Sequence, residues 1–578
     1  MIPNFPVKTV SVNATSSDEA RTQIESWLQQ CIESHPGCPR TPKEVSLPTR
    51  LLDVSDPEVA KVVETKGMQG QYVCLSHQWG KEPMPIKTTD DNIDEMKKPI
   101  PVESLPLTFQ HAASIARAFC KYLWIDSLCI IQDNPGDWKV EAAQMASIYR
   151  NGVLTIAAVA ATGPKEGLFF SAAPGFADHT LLELERLNLG FPIYVRRHLE
   201  FNAGHLQKFQ VHGLLERGWV LQERVISPRI LYFGYNELAW ECMTSTACQC
   251  ESDFRPYPVT RYSPREPFHP KSAFNLSIIS PQPVGQTVEQ SLALWHHIIN
   301  AYTGLDLTFP KDKFPALAGL AVEVGKSRPG DQYLAGVWCQ TFIPDLLWRR
   351  RVPGDWHSTA FTDHYDLHNC FGGEDGREEE FERSIMHREW RGNRLKRLFP
   401  AKVAPTWSWA KMHDQVEYDK DINSLDLGLV EPQFAEVVGV KCSHQLGFGE
   451  MENIESAFAT LRGKLIQVRL KKQELGSSSG YLLYRNDHAM GFSAVDFGPF
   501  DFKSPLYRAT ELFCLQLASG RVKDRPAMAQ HYGLVLMAKN TEDGIVYERV
   551  GMFDNAFRFG QEKTIFDGIE ESTELKIV

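Results

Sequence analysis

The sequence predicts an α/β protein whose central parallel sheet is flanked by helices. Between residues 72 and 159, apolar stretches of strand length alternate with amphipathic stretches of helix length. This alternation is typical of βαβ units, which build parallel sheets. The stretch Tyr122–Asp126 is apolar up to its last residue, as burial on both faces of a sheet requires. We therefore expect helices on both faces.

Periodicity predicts each element in turn. Phe109, Ala112 and Ala116 repeat at helical spacing, with His111 and Ser114 on the opposite side, so this helix is expected to pack one face on the sheet. In chain order the pattern predicts a helix at Asp18–Cys31, strands at Pro48–Val54 and Tyr72–Ser76, a helix at Leu107–Cys120, a strand at Tyr122–Asp126, a helix at Trp138–Arg150, and strands at Val153–Val159 and Ile230–Phe233.

The length of 578 residues predicts more than one domain, because a single core stops growing at about 250–300 residues. We divide the chain into a helix-and-strand lead-in at 1–70, the α/β domain at 71–245, a mixed helical and irregular region at 246–430, and a β-rich region at 431–578. The third region holds a predicted helix at Val288–Tyr302 and an acidic loop at Gly372–Glu382. Predicted strands of the last region are Leu461–Leu470, Tyr481–Tyr484, Leu512–Leu517 and Tyr532–Met537.

Charge and hydropathy exclude several classes of protein. A net charge of −11 and a pI near 5.9 argue against a dedicated nucleic-acid binder, which carries a basic face. The first residues lack the charged and apolar regions of a signal peptide, and the longest apolar run, Val153–Ala161, is too short to span lipid. We expect a cytoplasmic protein without nucleic-acid or membrane partners.

The twelve cysteines are interpreted mainly as reduced core residues. Four lie inside apolar stretches: Cys74, Cys120, Cys129 and Cys514. Two clusters could supply soft ligands for zinc: Cys31-x3-His35-x2-Cys38 and Cys242-x5-Cys248-x-Cys250. Neither cluster has a standard zinc spacing, so buried thiols are favoured and no metal is predicted.

Polar residues follow two predicted parallel strands, where loop amides and helix N-termini converge on ligands. Ser76, His77, Trp79 and Gly80 follow the first strand, and Asp126 ends the second. We expect these residues to face a common crevice and bind a ligand there. The alternative is that Ser76 and Asp126 only cap helices or turns. His77 is also a candidate general acid or base.

Glu141 is the main catalytic candidate. It lies on the apolar stripe of the predicted helix, together with Trp138 and Met145, after a plausible N-cap at Asp137. A carboxylate there is costly unless it is paired or functional, and its pKa is expected to rise. The alternative is a solvated or capping glutamate at the edge of the stripe.

A second polar group surrounds Trp219 and Leu221. Its members are Arg217, Gln222, Glu223 and Arg224. Such a group suits a buried ion-pair network or an anion-recognition site, and we favour the network.

Several common catalytic signatures are missing from the sequence. It has no G-x-x-x-x-G-K-[ST] loop, no G-x-S-x-G elbow, no H-E-x-x-H and no G-x-G-x-x-G opening a helix after the first strand. Standard nucleotide-triphosphate hydrolysis, serine hydrolysis, zinc proteolysis and Rossmann-type dehydrogenation are therefore not expected.

A series of motifs resembles the HET (heterokaryon incompatibility) domain of filamentous fungi. In order they are Tyr72-Val-Cys-Leu-Ser-His-Gln-Trp-Gly80, Leu105-Pro-Leu-Thr108, Tyr122-Leu-Trp-Ile-Asp126, Asp137-Trp-x-x-Glu141, Thr155-Ile-Ala-Ala158, Gly167-Leu-Phe169, Arg217-Gly-Trp-x-Leu-Gln-Glu-Arg224 and Trp240-Glu-Cys242. Two positions depart from the family pattern. His77-Gln78 stands where the family usually has Tyr and a small or apolar residue, and Gly218 where Ala is common.

The resemblance implies a role in non-self recognition leading to fungal programmed cell death. The HET domain is thought to be distantly related to TIR domains, which implies a TIR-like, flavodoxin-like fold. On that relation Ser76 resembles the TIR first-strand motif, and Trp138-x-x-Glu141 resembles the helix that carries the glutamate of NAD-cleaving TIR proteins. The implied substrate is NAD, held by Trp79 or Trp138, with no cofactor required.

Two other functions remain open at this point. One is a non-catalytic signalling domain that acts by self-association, and the other is a tailoring enzyme of fungal secondary metabolism that uses the same crevice. The partners left open are accordingly a second copy of the chain, in a homo-oligomer, and a small-molecule or nucleotide ligand.

Overall fold

The structure, a computed structural model, forms two compact units. The first comprises residues 1–261 and 269–282, and the second residues 262–268 and 283–578. The structure describes residues 15–16, 18–35, 37–39, 44–171, 180–182, 193–195, 213–249, 254–256, 271, 274, 287–350, 404–412, 415–418, 434–442, 454, 456–475, 478–485, 488–495, 511–522, 525–558, 566 and 568–578.

Among the described residues, the first unit combines helices of up to 17 residues with short strands. Its helices are α1 Asp18–Ser34, α2 Ile93–Met96, α3 Leu107–Ala116, α4 Asp126–Cys129, α5 Pro135–Asn151 and α6 Gly218–Ile226, with a 3-10 turn at Val102–Ser104. Its strands are β1 Val45–Ser46, β2 Arg50–Asp53, β3 Val59–Glu64, β4 Gln69–Gly70, β5 Val73–Ser76, β6 Ile100–Pro101, β7 Tyr122–Trp124, β8 Leu154–Ala157, β9 Thr180–Leu182, β10 Ile193–Val195, β11 Arg229–Phe233, β12 Leu238–Cys242, β13 Ser245–Cys248 and β14 Arg255–Pro256.

Ten of these strands form one mixed sheet in the order β14-β13-β12-β11-β8-β5-β7-β2-β3-β6. Only the four middle strands, β11, β8, β5 and β7, run parallel to one another. The flanking strands pair antiparallel. The prediction of a parallel sheet is thus right for the centre and wrong for the flanks. Short connections join β2 to β3 and β11 to β12, and such connections suit antiparallel pairs.

Helices cover both faces of the middle strands, as predicted. Val73 and Leu75 of β5 pack in one core with α1 and α3. Cys74, between them, packs on the other face with Met145 and Ile148 of α5. Successive residues of a strand point to opposite faces, so an apolar strand is needed here.

Most predicted elements are confirmed, with shifted ends. Helix α5 begins at Pro135, because the side chain of Asn134 caps it by accepting from the amide of Asp137. Asp137 is therefore not the N-cap. Asp126 opens α4 instead of ending the strand. Strands β13 and β14 extend the sheet past residue 245, where an irregular connector was predicted.

The second unit combines helices with long strands. Its helices are α7 Val288–Tyr302, α8 Pro315–Lys326 and α9 Phe342–Asp345, with 3-10 turns at Pro310–Lys313, Cys339–Thr341 and Trp409–Lys411. Its strands are β15 Tyr333–Leu334, β16 Val337–Trp338, β17 Trp348–Arg350, β18 Val416–Tyr418, β19 Glu436–Cys442, β20 Ala457–Gly463, β21 Leu465–Leu475, β22 Ser478–Arg485, β23 His488–Val495, β24 Leu512–Val522, β25 Arg525–Thr541, β26 Gly544–Arg558 and β27 Thr573–Ile577.

Nine strands of the second unit form a sheet in the order β19-β20-β27-β26-β23-β22-β21-β24-β25. Because β25 also pairs with β26, six of them close into a ring. The predicted helix Val288–Tyr302 and the β-rich character after residue 431 are confirmed. The predicted acidic loop at 372–382 lies outside the described residues. In the part of the chain that the structure describes, every helix is too short or too polar to cross a bilayer.

Candidate functional site

The carboxyl ends of β5 and β7 lie side by side at one edge of the first unit's sheet. The two strands are parallel, and Cys74 pairs with Trp124. Continuing this register by two residues brings Ser76 level with Asp126. The predicted residues at these two strand ends therefore share one edge.

Ser76 faces the side of the sheet that α5 and α6 cover. Its side chain is buried, as is that of Glu223 on α6. Burial raises the pKa of the Glu223 carboxyl, while the Ser76 hydroxyl and the Arg217 guanidinium act in the opposite direction. The hydroxyl of Tyr149 from α5 donates to the carbonyl of Leu75 at 3.4 Å. Ser76 is thus part of a buried polar group.

His77 faces the opposite side of the sheet. Its ring meets Phe109 of α3 edge to face, with 5.1 Å between ring centroids. Its Nδ1 lies 3.7 Å from an oxygen of Asp126. Burial lowers the pKa of His77, and the nearby Asp126 opposes that effect. Adjacent residues at a strand end point to opposite faces, so Ser76 and His77 approach the edge that holds Asp126 from opposite sides.

Asp126 links the loop after β5 to α4. It accepts a hydrogen bond from the indole Nε1 of Trp79 at 3.0 Å and one from the amide of Ser127 at 2.7 Å. Gly80 follows with φ of +79°, a backbone conformation that suits glycine at this turn. Arg217 donates to the carbonyl of His77 at 2.8 Å, which ties the start of α6 to the same loop.

Glu141 is buried on α5, with 1% of its surface exposed. Neither of its carboxylate oxygens has a hydrogen-bond partner by the usual geometric criteria among the described residues. Burial raises the pKa of this carboxyl, and the side chains of Thr49 and Arg50 act in the opposite direction. The interior position that the apolar stripe predicted is confirmed. Thr49 and Arg50 are thus the polar side chains that face this carboxylate.

Arg50 is the functional candidate that the sequence reasoning missed. It is 7% exposed, and its guanidinium forms an ion pair with Asp137 and donates to the carbonyl of Cys129 at 2.9 Å. The Oδ2 atom of Asp137, which pairs with Arg50, also accepts from the amide of Ile131 at 2.8 Å. One feature of the sequence could have predicted it. Arg50 is a charged residue at the start of a strand whose next two residues are apolar, just as Glu141 is a charged residue on an apolar helix stripe.

Arg50 places Glu141 at the same edge of the sheet as Asp126. Strand β2 runs antiparallel to β7 with Leu52 opposite Leu123, so Arg50 lies level with Ile125. The strand order β5-β7-β2 then arranges Ser76, Asp126 and Arg50 in sequence along the edge. Within the described residues, the contacts of Glu141 run to the Arg50 end of this row.

The comparison with family models identifies the central segment of the chain. Residues 72–223 match the family model described as heterokaryon incompatibility protein (HET). This segment is a HET domain. It begins one residue before β5 and ends within α6. No curated protein and no solved structure matched the chain. A HET domain indicates a function of the heterokaryon-incompatibility and cell-death type.

The four polar residues around Trp219 do not form a single cluster. Arg217 and Glu223 join the HET-domain edge described above. Gln222 is buried on the same helix. Arg224 instead forms an ion pair of 3.0 Å with Glu241 on β12, just past the end of the HET match. Its main-chain carbonyl accepts from the buried ammonium group of Lys271 at 2.8 Å.

Trp138 and Trp219 join the two helices on this face of the HET domain. Their rings meet edge to face at 6.2 Å between centroids. Trp138 lies one turn before Glu141 on α5 and is partly buried. It is therefore the predicted ligand-holding aromatic that is nearest in sequence to the buried carboxylate.

Four possible metal ligands converge elsewhere in the first unit. They are Cys31, His35, Cys38 and Cys242. Cys248 is disulfide-bonded, and Cys250 lies outside the described residues. The four cysteines predicted as reduced thiols (Cys74, Cys120, Cys129 and Cys514) are free. The clusters at 31–38 and 242–250 are far apart in the sequence, and the fold brings Cys242 of the second next to the first.

Proposed function

We propose that the HET domain hydrolyses NAD with Glu141 as its catalytic carboxylate, and that this activity drives an incompatibility-type cell-death response. One observation carries the proposal. Glu141 is buried, and neither carboxylate oxygen has a hydrogen-bond partner among the described residues. A buried carboxyl that lacks such partners costs about 1–3 kcal/mol, which a catalytic role would explain.

The chemistry needs a carboxylate of this kind. When the bond between the nicotinamide nitrogen and ribose C1′ breaks, the electron pair leaves with nicotinamide and positive charge develops on the ribose ring. A carboxylate in a water-poor site stabilises that charge. Water then adds to C1′, giving ADP-ribose and releasing one proton. The leaving group departs from a cationic ring, so no second acid is required.

The surroundings of Glu141 act on its protonation in two opposite directions. Burial favours the neutral form, whereas Arg50, 3.9 Å from one carboxylate oxygen, favours the ionised form. The positively charged nicotinamide ring of bound NAD acts in the same direction as Arg50. Substrate binding would therefore itself favour the form of Glu141 that the reaction uses.

Access to Glu141 requires a movement, because its side chain is 1% exposed. Trp138 precedes Glu141 by one helical turn and its ring packs against Trp219 of α6. We propose that a shift of this ring opens a path to the carboxylate and offers an aromatic face to the cationic nicotinamide. Self-association is one source of such a shift, so activity should be measured over a range of protein concentrations.

The test is nicotinamide release by the purified full-length protein incubated with NAD, followed by chromatography. We expect release by the wild type and a rate lower by at least about 100-fold for Glu141→Gln. Glu323→Gln, which changes a buried glutamate in the other unit, is the matched control and should keep the wild-type rate. Absence of nicotinamide at every protein concentration, or equal rates for wild type and Glu141→Gln, would overturn the proposal.

Expression in fungal cells separates the proposal from the other functions. If NAD cleavage drives death, Glu141→Gln should abolish killing. If Glu141→Gln still kills while Trp124→Asp, which disrupts the buried strand β7, does not, the domain acts by self-association instead. A changed metabolite profile on gene deletion, without any effect on killing, would favour a biosynthetic enzyme.

A further inference from the structure

Three thiols and one imidazole meet in the interior of the first unit, away from the Glu141 edge. The ligand atoms of Cys31, His35, Cys38 and Cys242 all lie within 4.8 Å of one another. All four residues are buried, and none of the three cysteines is in a disulfide. No part of the proposed NAD chemistry uses them.

The fold brings these residues together from distant parts of the sequence. Cys31 lies in the last turn of α1, and His35 follows one turn later, so both point to the same side. A tight turn, in which the amide of Cys38 donates to the carbonyl of His35 at 3.1 Å, returns Cys38 to them. Cys242 ends β12, and 207 positions separate it from His35.

The donor set is that of a structural zinc site. Zinc in such sites is bound tetrahedrally by four cysteine and histidine ligands, and Cys3His is one of the usual combinations. With zinc–sulfur bonds of about 2.3 Å, neighbouring ligand atoms lie about 3.8 Å apart. The observed spread of up to 4.8 Å therefore closes with small side-chain rotations.

The residues around the four ligands already have the arrangement that a metal site needs. His35 directs Nδ1 to Cys242 Sγ at 3.2 Å, while its Nε2 lies 3.5 Å from the hydroxyl of Ser245. Metal-binding histidines use their second nitrogen in this way to fix the ring. The buried guanidinium of Arg229 donates to Cys31 Sγ at 3.3 Å. Three thiolates on Zn²⁺ leave one negative charge, which this guanidinium offsets.

We propose that Cys31, His35, Cys38 and Cys242 bind one structural zinc ion. Four protein ligands leave no open position for substrate, so the ion would hold structure together and take no part in catalysis. It would fasten the end of α1 to the end of β12, two elements that lie on opposite sides of the HET match in the sequence. Zinc uses all four side chains, whereas a disulfide between two of the cysteines would leave the third thiol and the buried imidazole of His35 without a role.

The first measurement is the metal content of the full-length protein purified without chelator, by inductively coupled plasma mass spectrometry. We expect one zinc per chain. Cobalt(II) exchanged into the protein should give intense thiolate-to-cobalt charge-transfer absorption and the visible bands of tetrahedral coordination. Neither measurement needs a variant, so both remain decisive if substitutions at the site prevent folding.

Variants then locate the ion. Cys242→Ser should lose most of the bound zinc, and His35→Cys should keep it, because four thiolates also bind zinc. Cys74→Ala removes a buried thiol of the same unit outside the cluster and should keep one zinc per chain. The proposal is wrong if folded wild-type protein with reduced thiols takes up no zinc. It is equally wrong if a disulfide joins two of the cluster cysteines, or if Cys242→Ser binds zinc as the wild type does.

Discussion

A terminal guanidinium nitrogen of Arg50 lies 3.9 Å from a carboxylate oxygen of Glu141, beyond hydrogen-bond distance. The same nitrogen forms an ion pair with Asp137. Arg50 therefore compensates the charge of Glu141 without occupying its lone pairs. It also makes the proposed site depend on β2, a strand that precedes the HET match in the sequence.

Arg50→Ala should destabilise the protein strongly. Removing one partner of a buried ion pair leaves an uncompensated charge, which costs about 3–5 kcal/mol. Asp137 would keep only the amide of Ile131, and the carbonyl of Cys129 would lose its donor. Urea unfolding followed by tryptophan fluorescence measures the change.

The control for Arg50→Ala is Lys97→Ala, which breaks an exposed ion pair with Glu64. Exposed pairs contribute about 0–1 kcal/mol, so this variant should unfold close to the wild type. Equal losses for the two variants would show that Arg50 is not the buried anchor described here.

Glu141→Gln should change how stability depends on pH. Because the pKa of Glu141 is raised in the folded state, the folded protein holds this proton more tightly than the unfolded chain. The wild type should therefore lose stability as pH rises from about 4.3, the ordinary glutamate value, through the raised pKa. Glutamine has no such transition, so the variant should be more stable than the wild type at neutral pH.

Denaturant unfolding at a series of pH values checks this prediction. The difference in unfolding free energy between Glu141→Gln and the wild type should grow with pH and then level off. A constant difference across the series would mean that the Glu141 carboxyl titrates in the folded protein as it does in the unfolded chain.

Gly336→Ala should disrupt the second unit. Gly336 has φ of +98°, and an added Cβ would lie 2.6 Å from the indole nitrogen of Trp409. The carbonyl of Gly336 accepts from the indoles of both Trp295 and Trp409, at 3.0 and 2.8 Å. Backbone strain and overpacking together should cost about 3 kcal/mol or more.

Gly330→Ala is the matched control for Gly336→Ala. Gly330 also has a positive φ, +78°, but an added Cβ would meet nothing within 4 Å. Strain alone should cost about 1–2 kcal/mol. Thermal or urea unfolding of the two variants separates the clash from the strain, and equal losses would exclude the clash.

The central part of the fold was predictable because its signals are local. The amphipathic stripe of α3 and the apolar run of β7 each lie within one short window of sequence. The flanking antiparallel strands carry weaker signals. β13 and β14 are short and lie in a proline-rich stretch, and their place depends on pairing with β12. The prolines in this stretch predict turns, so the two strands were not predicted.

The candidate site was predictable in part for the same reason. Ser76 and Asp126 follow from the ends of two strands, and Glu141 from its position on a helical stripe. Arg50 and the pairing of Cys242 with His35 could not be predicted, because they depend on which distant segments become neighbours. His77 was placed with Ser76 because Ser76 ends β5 and His77 follows it directly, although neighbouring side chains along a strand point to opposite faces.

The shared sheet sets a limit on how the HET domain can be isolated. Strand β7 pairs with β2 before the match, and β8 pairs with β11 after it. A fragment trimmed to residues 72–223 would keep the sheet β8-β5-β7 and expose the unpaired backbone amides and carbonyls of β8 on one outer edge and of β7 on the other. Such unprotected edges recruit strands from other molecules. Aggregation of that fragment would then result from the strand edges exposed by the truncation, and it would not be evidence for self-association of the intact domain.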